Sequence, residues 1–546
     1  MPEPAQNREH ISRVSSDWSA RNLAIVALLA VFALLVMGYH PGLEDDAFYL
    51  AAIKKDLNPV LFPHDSDFFT VQFQATIFDK LIAASVRLTH LPLAWAAMFW
   101  QFVAVFFMLH GCWRIGRRCF RDAPAQWSAV ALIAALLALP VSGTGINLAD
   151  QYLHPRTLAT AAILAAVVAV LDRRFWRAGI LLAVAASIHV IMAAFGMSLC
   201  AFLWWQQRDV LRLRVMTPAA AVMLVPFRWS LSWMFAPGSE AWRDAASTRS
   251  FYFLSRWEWY EWLGVFAPIV LIYSFRCFLQ RRHETGELLQ VVSGLFCYSV
   301  FQTVAGLAVM FPASLERLRP FEPMRYLHLV YVFFFLLVGG LLGQYVLRRR
   351  VYRWAMLFVP LSVGMFYAQR QMYPATEHLE LPGAATENQW LQAFSWIRQN
   401  TPVDAQFALD PHYVELPGED YHGFRALAER SVLADYVKDG GMAARVPRLA
   451  PRWLKEVAAQ SGWRKFQTAD FARLKRDFGV NWFILSHADA EFSNAQPSPV
   501  ACPYDNDEVR VCFLDEEHPR HSGLDADKAA ALRMVLAWKS GPFGPR

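Results

Sequence analysis

The chain has 546 residues and a net charge of +6; 55% of its residues are hydrophobic and only 18% are charged. Soluble domains average about 45–50% apolar and about 25% charged residues, so this composition excludes an ordinary soluble protein. The apolar residues lie in separate runs close to the ~20 residues that a helix needs to cross a bilayer. Basic residues lie between these runs, so the positive charge does not require a nucleic-acid partner. We therefore predict a polytopic α-helical membrane protein.

Eleven apolar runs indicate membrane spans. Arg8, Arg13 and Arg21 precede the first run, which lacks a small-residue cleavage pattern, so we predict an uncleaved first helix rather than a removed signal peptide. The predicted spans are 23–40, 91–113, 126–140, 156–171, 178–190, 191–205, 215–234, 260–276, 288–311, 325–347 and 354–369.

Lys and Arg residues collect on one side of this series. The basic short loops contain Arg114, Arg117, Arg118 and Arg121; Arg173, Arg174 and Arg177; Arg208, Arg212 and Arg214; Arg276, Arg281 and Arg282; and Arg348, Arg349, Arg350 and Arg353. Because basic loops stay in the cytoplasm, we predict a bacterial inner-membrane protein with a cytoplasmic segment 1–22, a transmembrane domain 23–370 and a periplasmic C-terminal region. The loops that then lie outside are 41–90, 141–155, 235–259 and 312–324.

The apolar region 178–205 has two interpretations. One helix would cross the membrane once and would move every later basic loop to the outside. Two helices of about 14 residues rise only about 21 Å each. Two short helices that meet near Ile188, His189 and Val190 within the membrane satisfy both constraints, and this is the arrangement we predict. His189 then marks a break inside an apolar run, where a buried histidine with a local partner is the simpler alternative to a functional group.

The first outer loop, 41–90, opens with three consecutive carboxylates, Glu44, Asp45 and Asp46. Like charges at the mouth of a membrane helix repel one another, so they are costly unless they bind a cation, accept a proton or lie in water. Asp65 and Asp67 recur in the same loop, and segment 68–89 has the pattern of an amphipathic helix on the membrane surface. A loop of this length is long for a simple connection and suggests a functional one.

Glu44, Asp45 and Asp46 are therefore candidate catalytic residues. A partly buried carboxylate can act as a general base because burial raises its pKa towards the working pH. Asp45 and Asp46 together are also candidate ligands of a divalent cation such as Mg²⁺ or Mn²⁺, although no cofactor is required. A solvated loop end is the alternative without function.

This organisation resembles the GT-C glycosyltransferase superfamily: an acidic pair opening the first outer loop, many spans with basic inner loops, and an outer C-terminal α/β domain. The resemblance implies a sugar donor on a polyprenyl phosphate or diphosphate, used at the outer face of the membrane. It also implies that one acid of the first outer loop, Asp45 or Asp46, is the base or positions the acceptor. The outer region lacks a Trp-Trp-Asp-type signature, which favours the poorly characterised bacterial GT-C-like proteins over oligosaccharyltransferases.

Two other outer segments contain candidate substrate-binding residues. Asp150, His154 and Arg156 lie at the end of the second outer loop, where a hydrated turn before a span is the alternative. Arg317, Arg319 and Arg325 lie on the predicted outside, against the charge rule, and arginine binds phosphate through two parallel hydrogen bonds. Lipid headgroups or Glu316 and Glu322 could also explain these arginines. Arg325 is the preferred candidate because it begins a span, and Arg228 and Arg243 are weaker ones.

After residue 370 the composition becomes that of a soluble domain. Residues 371–518 are predicted to form a periplasmic α/β domain, followed by a polar tail at 519–546. The predicted helices are 390–397 and 468–478, and the predicted strands are 406–409, 480–485 and 509–514. Cys502 and Cys512 flank a turn before the last strand. In an oxidising compartment they are predicted to form a disulfide, and two free thiols are the alternative.

The function predicted from these features is transfer of a sugar from a polyprenyl-phosphate carrier to a glycan, lipid or protein acceptor, without nucleic acid. A lipid or polysaccharide transporter or flippase is the first alternative. Transporters usually place charges near the bilayer midplane in two related halves, whereas the acids of this chain crowd one face and no duplication is evident. A non-catalytic envelope scaffold is the second alternative.

Overall fold

The computed structural model describes residues 17–71, 75–207, 235–284, 286–487 and 500–514. Up to residue 372 its α-helices are, in chain order, α1 (Ala20–Met37), α2 (Asp46–Leu57), α3 (Asp67–Thr70), α4 (Phe78–Thr89), α5 (Leu93–Cys119), α6 (Ala123–Ala135), α7 (Pro155–Leu171), α8 (Phe175–Ile188), α9 (Val190–Gln206), α10 (Glu240–Ser247), α11 (Trp259–Arg281), α12 (Glu287–Met310), α13 (Leu327–Leu341) and α14 (Val351–Met372). A 3₁₀ turn at Pro323–Tyr326 and a π-helical turn at Leu342–Leu347 extend α13.

Six of the described helices are long and apolar enough to cross a membrane, which fits a multi-pass membrane protein: α1, α5, α11, α12, α13 with its flanking turns, and α14. Helices α6 to α9 are shorter and also apolar. Ten of the predicted spans coincide with these helices, whereas 215–234 lies outside the described residues. The number of crossings and their orientation stay predictions.

The apolar region 178–205 is divided into two helices, as the sequence predicts. Helix α8 ends at Ile188, and His189 has extended backbone angles (φ −152°, ψ 98°) before α9 begins. The His189 Nδ1 atom accepts a hydrogen bond from the backbone N–H of Met192 at 3.3 Å, so the imidazole caps α9. The backbone N–H of Ile77, from the first outer loop, donates to the carbonyl of Ser187 at 2.9 Å and satisfies one group that the break exposes.

A buried ion cluster joins several helices at the end where α1 begins. Asp17, which is 1% exposed, forms ion pairs with Arg114, Arg117 and Arg118 at the end of α5. Arg118 also donates to Asp172, just beyond α7, at 2.7 Å. The first outer loop follows the opposite end of α1, so the arginine cluster and the acidic loop lie at opposite ends of this helix.

The first outer loop contains three helices instead of the long amphipathic helix predicted at 68–89. Helix α3 covers only Asp67–Thr70, and α4 begins at Phe78. The first part of that prediction is therefore wrong. The physical reason is that Phe68 packs between Arg425 and Arg452 of the C-terminal region, with guanidinium–ring distances of 5.7 and 5.1 Å, instead of lying on the membrane surface.

The C-terminal region contains α15 (Gln389–Asn400), β3 (Gln406–Ala408), α16 (Phe424–Ala428), β4 (Ser431–Val432), α17 (Lys438–Arg445), α18 (Ala450–Ala459), α19 (Thr468–Phe478), β5 (Trp482–Ser486), β6 (Val500–Asp505) and β7 (Val509–Leu514). Among the described residues its sheet has the order β4-β3-β5-β7-β6, with β3 parallel to β4 and β5, and β7 antiparallel to β5 and β6. The predicted helices and strands of this region are all present, whereas β4, β6, α16, α17 and α18 were not predicted. The tail 519–546 lies outside the described residues.

Apolar side chains on both faces of this sheet are buried. Phe407 and Ile484 pack with Phe394 of α15 on one face, and Phe483 packs with Phe471 of α19 on the other. Successive strand side chains point to opposite faces, so helices cover the sheet on two sides. The structure joins Cys502 and Cys512, on the adjacent strands β6 and β7, in a disulfide.

The first outer loop is fastened to the C-terminal region by an ion pair. Asp65 is fully buried, and its Oδ2 accepts hydrogen bonds from Arg425 Nε at 2.5 Å and from the Val432 N–H at 3.0 Å. Arg425 also donates to both carboxylate oxygens of Asp439 at 2.9 Å. A buried cation shared between two carboxylates from distant segments fixes their relative position, so Asp65 holds this loop in place.

Asp65→Asn is expected to lower the unfolding free energy by about 1–3 kcal/mol, because the carboxylate paired with the buried Arg425 becomes a neutral amide. The measurement is thermal denaturation of the purified protein in detergent. Asp67→Asn is the matched control: Asp67 is exposed at the start of α3, and surface substitutions change stability by about 0.5 kcal/mol or less. Equal melting temperatures for the two variants would contradict the assignment of Asp65.

Candidate active site between the membrane helices and the C-terminal region

A cavity of about 710 Å³ lies where the acidic loop, the loop before α7, the starts of α11 and α13, and helix α17 meet. The antiparallel hairpin of β1 (Pro140–Val141) and β2 (Ile146–Asn147) forms one wall. We call this the polar cavity, because charged residues recur along its wall: Glu44, Asp45, Asp150, Arg156, Arg249, Glu261, Arg325, Lys438 and Arg445. Its volume is within the range of about 300–1,000 Å³ typical of ligand sites.

A second cavity of about 320 Å³ lies beside the break between α8 and α9. We call it the apolar cavity, because much of its wall is Tyr49, Ile188, Val190, Ile191, Trp242, Pro320 and Phe321, with His154, His189, Arg317 and Glu322 among its polar groups. Asp45, Arg325 and Arg445 line both cavities. These three side chains therefore mark the junction of the two spaces.

The three consecutive acids have different surroundings. Glu44 forms an ion pair with Lys438 of α17. Gly42, with φ 84°, turns the chain so that its N–H donates to Asp46 Oδ2 at 2.7 Å, and Asp46 is only 4% exposed. The Asp45 side chain is 26% exposed and lines the junction. Of these acids, Asp45 is the one presented to both cavities.

Burial tends to raise the pKa of Asp45, but its neighbours reverse that effect. The adjacent His154 and the positive charges of Arg445 and Lys438 hold its pKa well below the usual range, so Asp45 is ionised at neutral pH. His154 Nδ1 accepts the N–H of Arg156 at 2.9 Å, which assigns the ring proton to Nε2, 3.9 Å from Asp45 Oδ2. The Tyr152 hydroxyl oxygen accepts the N–H of Asp45 at 3.3 Å. The second outer loop thus positions this carboxylate.

Asp46 has the opposite electrostatic behaviour. Burial, assisted by the charge of Asp150, raises its pKa to about 7. An unfolded Asp has a pKa near 3.9, so between about pH 4 and pH 7 the folded protein keeps a proton that the unfolded chain has lost. Stability is therefore expected to fall as the pH rises through this window.

Asp46→Asn is expected to remove this pH dependence, because an amide oxygen can still accept the Gly42 N–H and carries no charge. On going from pH 5 to pH 8, the difference in unfolding free energy between the variant and the unmodified protein should shift in favour of the variant by on the order of 2–4 kcal/mol. Melting temperatures of both proteins at the two pH values measure the effect. A difference between the proteins that is the same at both pH values would contradict it.

Two arginines from distant parts of the chain share one carboxylate beside Asp45. Glu322, whose side chain is 3% exposed, lies 2.5 Å from Arg325 Nη1 and accepts a hydrogen bond from Arg445 Nη2 at 3.0 Å. Arg325 belongs to the turn that begins the α13 span, and Arg445 ends α17 of the C-terminal region. This arrangement holds two guanidinium groups at the junction and binds the two regions together.

Arg156 is a third cation of the polar cavity and is 2% exposed. Its Nη2 donates to Asp150 Oδ1 at 2.5 Å, whereas its Nε and Nη1 have no hydrogen-bond partner within the described residues. Both atoms are themselves buried, so Arg156 contributes positive charge to the cavity wall rather than a donor that is open to a ligand.

Helix α17 closes the polar cavity from the side of the C-terminal region. Lys438, Gly441, Met442 and Arg445 line the wall. A Cβ on Gly441 would lie 2.3 Å from Arg249 Nη2, so glycine at this position allows Arg249 to reach the cavity. The C-terminal region thus supplies part of the site itself.

Of the remaining predicted site residues, Arg317 lies at the apolar cavity and the others lie outside both cavities. Arg317 donates to the carbonyl of Pro237 at 2.8 Å. Arg319 packs over Phe253 at 5.4 Å and lines neither cavity, and the same is true of Asp65 and Asp67. Within the described ranges no group of three or more His, Cys, Asp and Glu side chains is arranged to hold a metal ion. Asp45 and Asp46 direct their carboxylates to different partners and do not converge on a cation site.

Five charged residues of the two cavities were not predicted as part of the site: Arg249, Glu261, Glu322, Lys438 and Arg445. Arg445 and Lys438 lie on an eight-residue helix in a region whose composition is that of a soluble domain. The one local signal there is the adjacent pair Gly440 and Gly441 inside a helix, because glycine in a helix interior is unfavourable and often indicates close packing.

Comparison with known proteins adds one match. Residues 388–442 match the family model of a domain of unknown function, DUF6798. The matched segment runs from α15 into α17 and includes Lys438 and Gly441 of the cavity wall. No curated protein matches the sequence of this chain.

Proposed function

We propose that this protein is a GT-C-type membrane glycosyltransferase of the bacterial inner membrane. It would move a sugar from a polyprenyl-phosphate or diphosphate carrier to an acceptor at the outer face. The observation that carries the proposal is the position of Asp45: an ionised carboxylate at the junction of an apolar cavity and a polar cavity, beside Arg325 and Arg445.

For each part of such a donor, the cavities offer residues of suitable chemistry. The apolar cavity, with Ile188, Val190 and Ile191 beside the helix break, suits the first isoprene units. Arg325 and Arg445 at the junction suit the phosphate, because guanidinium groups bind phosphate oxygens in pairs. The sugar then extends into the polar cavity, past Asp45.

The chemical step is a displacement at the anomeric carbon of the sugar. The bond from this carbon to the phosphate oxygen breaks, and its electron pair stays on the phosphate, where Arg325 and Arg445 stabilise the charge. An acceptor hydroxyl oxygen forms the new bond to the carbon, and its proton passes to Asp45. Glycosyl transfer has an oxocarbenium-like transition state, in which the hydroxyl becomes acidic late, so a carboxylate of low pKa is a sufficient base.

The location of the site is also part of this proposal. The arginine cluster around Asp17 and the cavities lie at opposite ends of α1, and the disulfide of Cys502 and Cys512 favours an oxidising compartment for the C-terminal region. These features support a cytoplasmic N-terminus and a periplasmic site.

Undecaprenyl phosphate is expected to raise the melting temperature of the purified full-length protein in detergent, whereas undecaprenol, which lacks the phosphate, should have little effect. A ligand that binds only the folded state at 100 times its Kd contributes about 2.7 kcal/mol. Arg325→Gln should remove most of the difference between the two lipids. Equal shifts for the phosphate and the alcohol would contradict the proposed donor class.

A further inference from the structure

Two exposed side chains at the rim of the polar cavity belong to membrane helices. Tyr260 of α11 is 57% exposed and Met372 of α14 is 51% exposed. Only 22% of the apolar stretch of α11 and 6% of that of α14 are buried. Such apolar helices are covered by lipid rather than by protein. The polar cavity therefore reaches lipid-facing surface at the ends of α11 and α14.

The same cavity is walled on the side of the C-terminal region. Lys438 is 2% exposed and Met442 is 1% exposed, and both lie on α17. A substrate that reached Asp45 from the C-terminal side would have to displace these packed side chains. Entry beside Tyr260 and Met372 requires no such displacement.

The apolar cavity reaches the surface at a different place. Val190, at the start of α9, is 50% exposed, and Phe321, before α13, is 52% exposed. The two cavities thus have separate exposed rims on apolar elements and share Asp45, Arg325 and Arg445 at their inner ends. A lipid-linked donor would occupy the apolar cavity through one of these openings. The opening of the polar cavity then remains for a second substrate.

We infer that the acceptor is itself a membrane lipid, with a hydroxyl-bearing and anionic head group, and that it enters the polar cavity beside Tyr260 and Met372. This inference rests on the proposed function. The anionic character follows from Arg156 and Arg249, which line the polar cavity and not the apolar one. The head-group hydroxyl forms the bond to the anomeric carbon, its proton passes to Asp45, and polyprenyl phosphate leaves through the apolar cavity.

The test places p-benzoylphenylalanine at Tyr260, at Val190 or, as a control, at Val270 of the full-length protein in bacterial membranes. Val270 lies on α11, is 59% exposed and lines neither cavity. Mass spectrometry then identifies the lipids cross-linked by light. Position 260 is expected to capture a phosphate- or carboxylate-bearing lipid at least fivefold enriched over position 270. Added undecaprenyl phosphate should suppress other cross-links at position 190 and leave those at position 260 unchanged.

Each result separates the two proposals. The lipid acceptor is refuted if positions 260 and 270 capture the same lipids in the same proportions. It is also refuted if added undecaprenyl phosphate suppresses the cross-links at position 260 as well as those at position 190. In both cases a polyprenyl-phosphate donor at position 190 stands. If undecaprenyl phosphate is not captured at position 190, the donor assignment itself fails. Transfer of labelled sugar to protein rather than to the organic phase would also overturn the lipid acceptor.

Discussion

Asp45→Asn is expected to lower the rate of sugar transfer by about 10²–10⁴-fold, the usual contribution of a positioned general base. Asparagine keeps the shape of the side chain, and its backbone N–H can still donate to the Tyr152 hydroxyl oxygen. Its side-chain amide, however, cannot take the proton of the acceptor hydroxyl. The measurement is release of polyprenyl phosphate from a polyprenyl-phosphate-linked radiolabelled sugar by the full-length protein in lipid nanodiscs, under single-turnover conditions.

The neighbouring acids provide matched controls for this variant. Asp46→Asn is expected to change the rate by less than about tenfold, since Asp46 is directed to the Gly42 N–H rather than to a cavity. Glu44→Gln tests the ion pair with Lys438 in the same assay. Absence of release by the unmodified protein would favour the scaffold or the flippase. Full activity of Asp45→Asn would remove Asp45 as the base, and equal losses for Asp45→Asn and Asp46→Asn would remove the distinction drawn between the two acids.

The membrane helices could be predicted from the sequence because their signal is local. A run of apolar residues must be helical in lipid whatever lies around it, so helix bounds such as Pro155–Leu171 and Glu287–Met310 agree with the predicted spans within one residue. The break at His189 was predictable for a related reason: it follows from the length of the apolar run and the positions of the basic loops. The predicted helix at 68–89 failed because Phe68 belongs to a contact with the C-terminal region, which no local periodicity records.

The candidate site could be predicted only in part. The sequence indicated that one of Asp45 and Asp46 has a role, but consecutive residues at a helix start point about 100° apart, so the docking of α2 decides which one reaches the cavities. Asp65 and Asp67 show the same limit, since one is buried against Arg425 and the other is exposed. Arg445 lies 400 positions from Asp45 along the chain, and only the packing of α17 on the membrane region brings them together.

Arg445→Gln is expected to lower the single-turnover rate by about 10²–10³-fold, the loss typical when one preorganised donor to a developing negative charge is removed. Glutamine keeps a hydrogen-bond donor for Glu322 but has no charge for the leaving phosphate. Arg325 would then be the one cation still paired with Glu322, so the charge of Glu322 offsets that of Arg325 and less positive charge remains for the phosphate. The rate is measured in the polyprenyl-phosphate release assay.

Two further substitutions decide whether the loss comes from the phosphate site. Arg445→Lys restores the charge without the forked geometry, so it should recover part of the rate and remain about tenfold below the unmodified protein. Arg473→Gln removes an exposed arginine from α19, paired with Asp470 at 3.3 Å, and should leave the rate unchanged. If Arg445→Gln merely lowers the melting temperature and regains full activity on cooling, Arg445 only fastens α17 to Glu322. If the rate stays low in a protein that melts normally, the C-terminal region supplies part of the catalytic charge, and a membrane domain without α17 would be an incomplete enzyme.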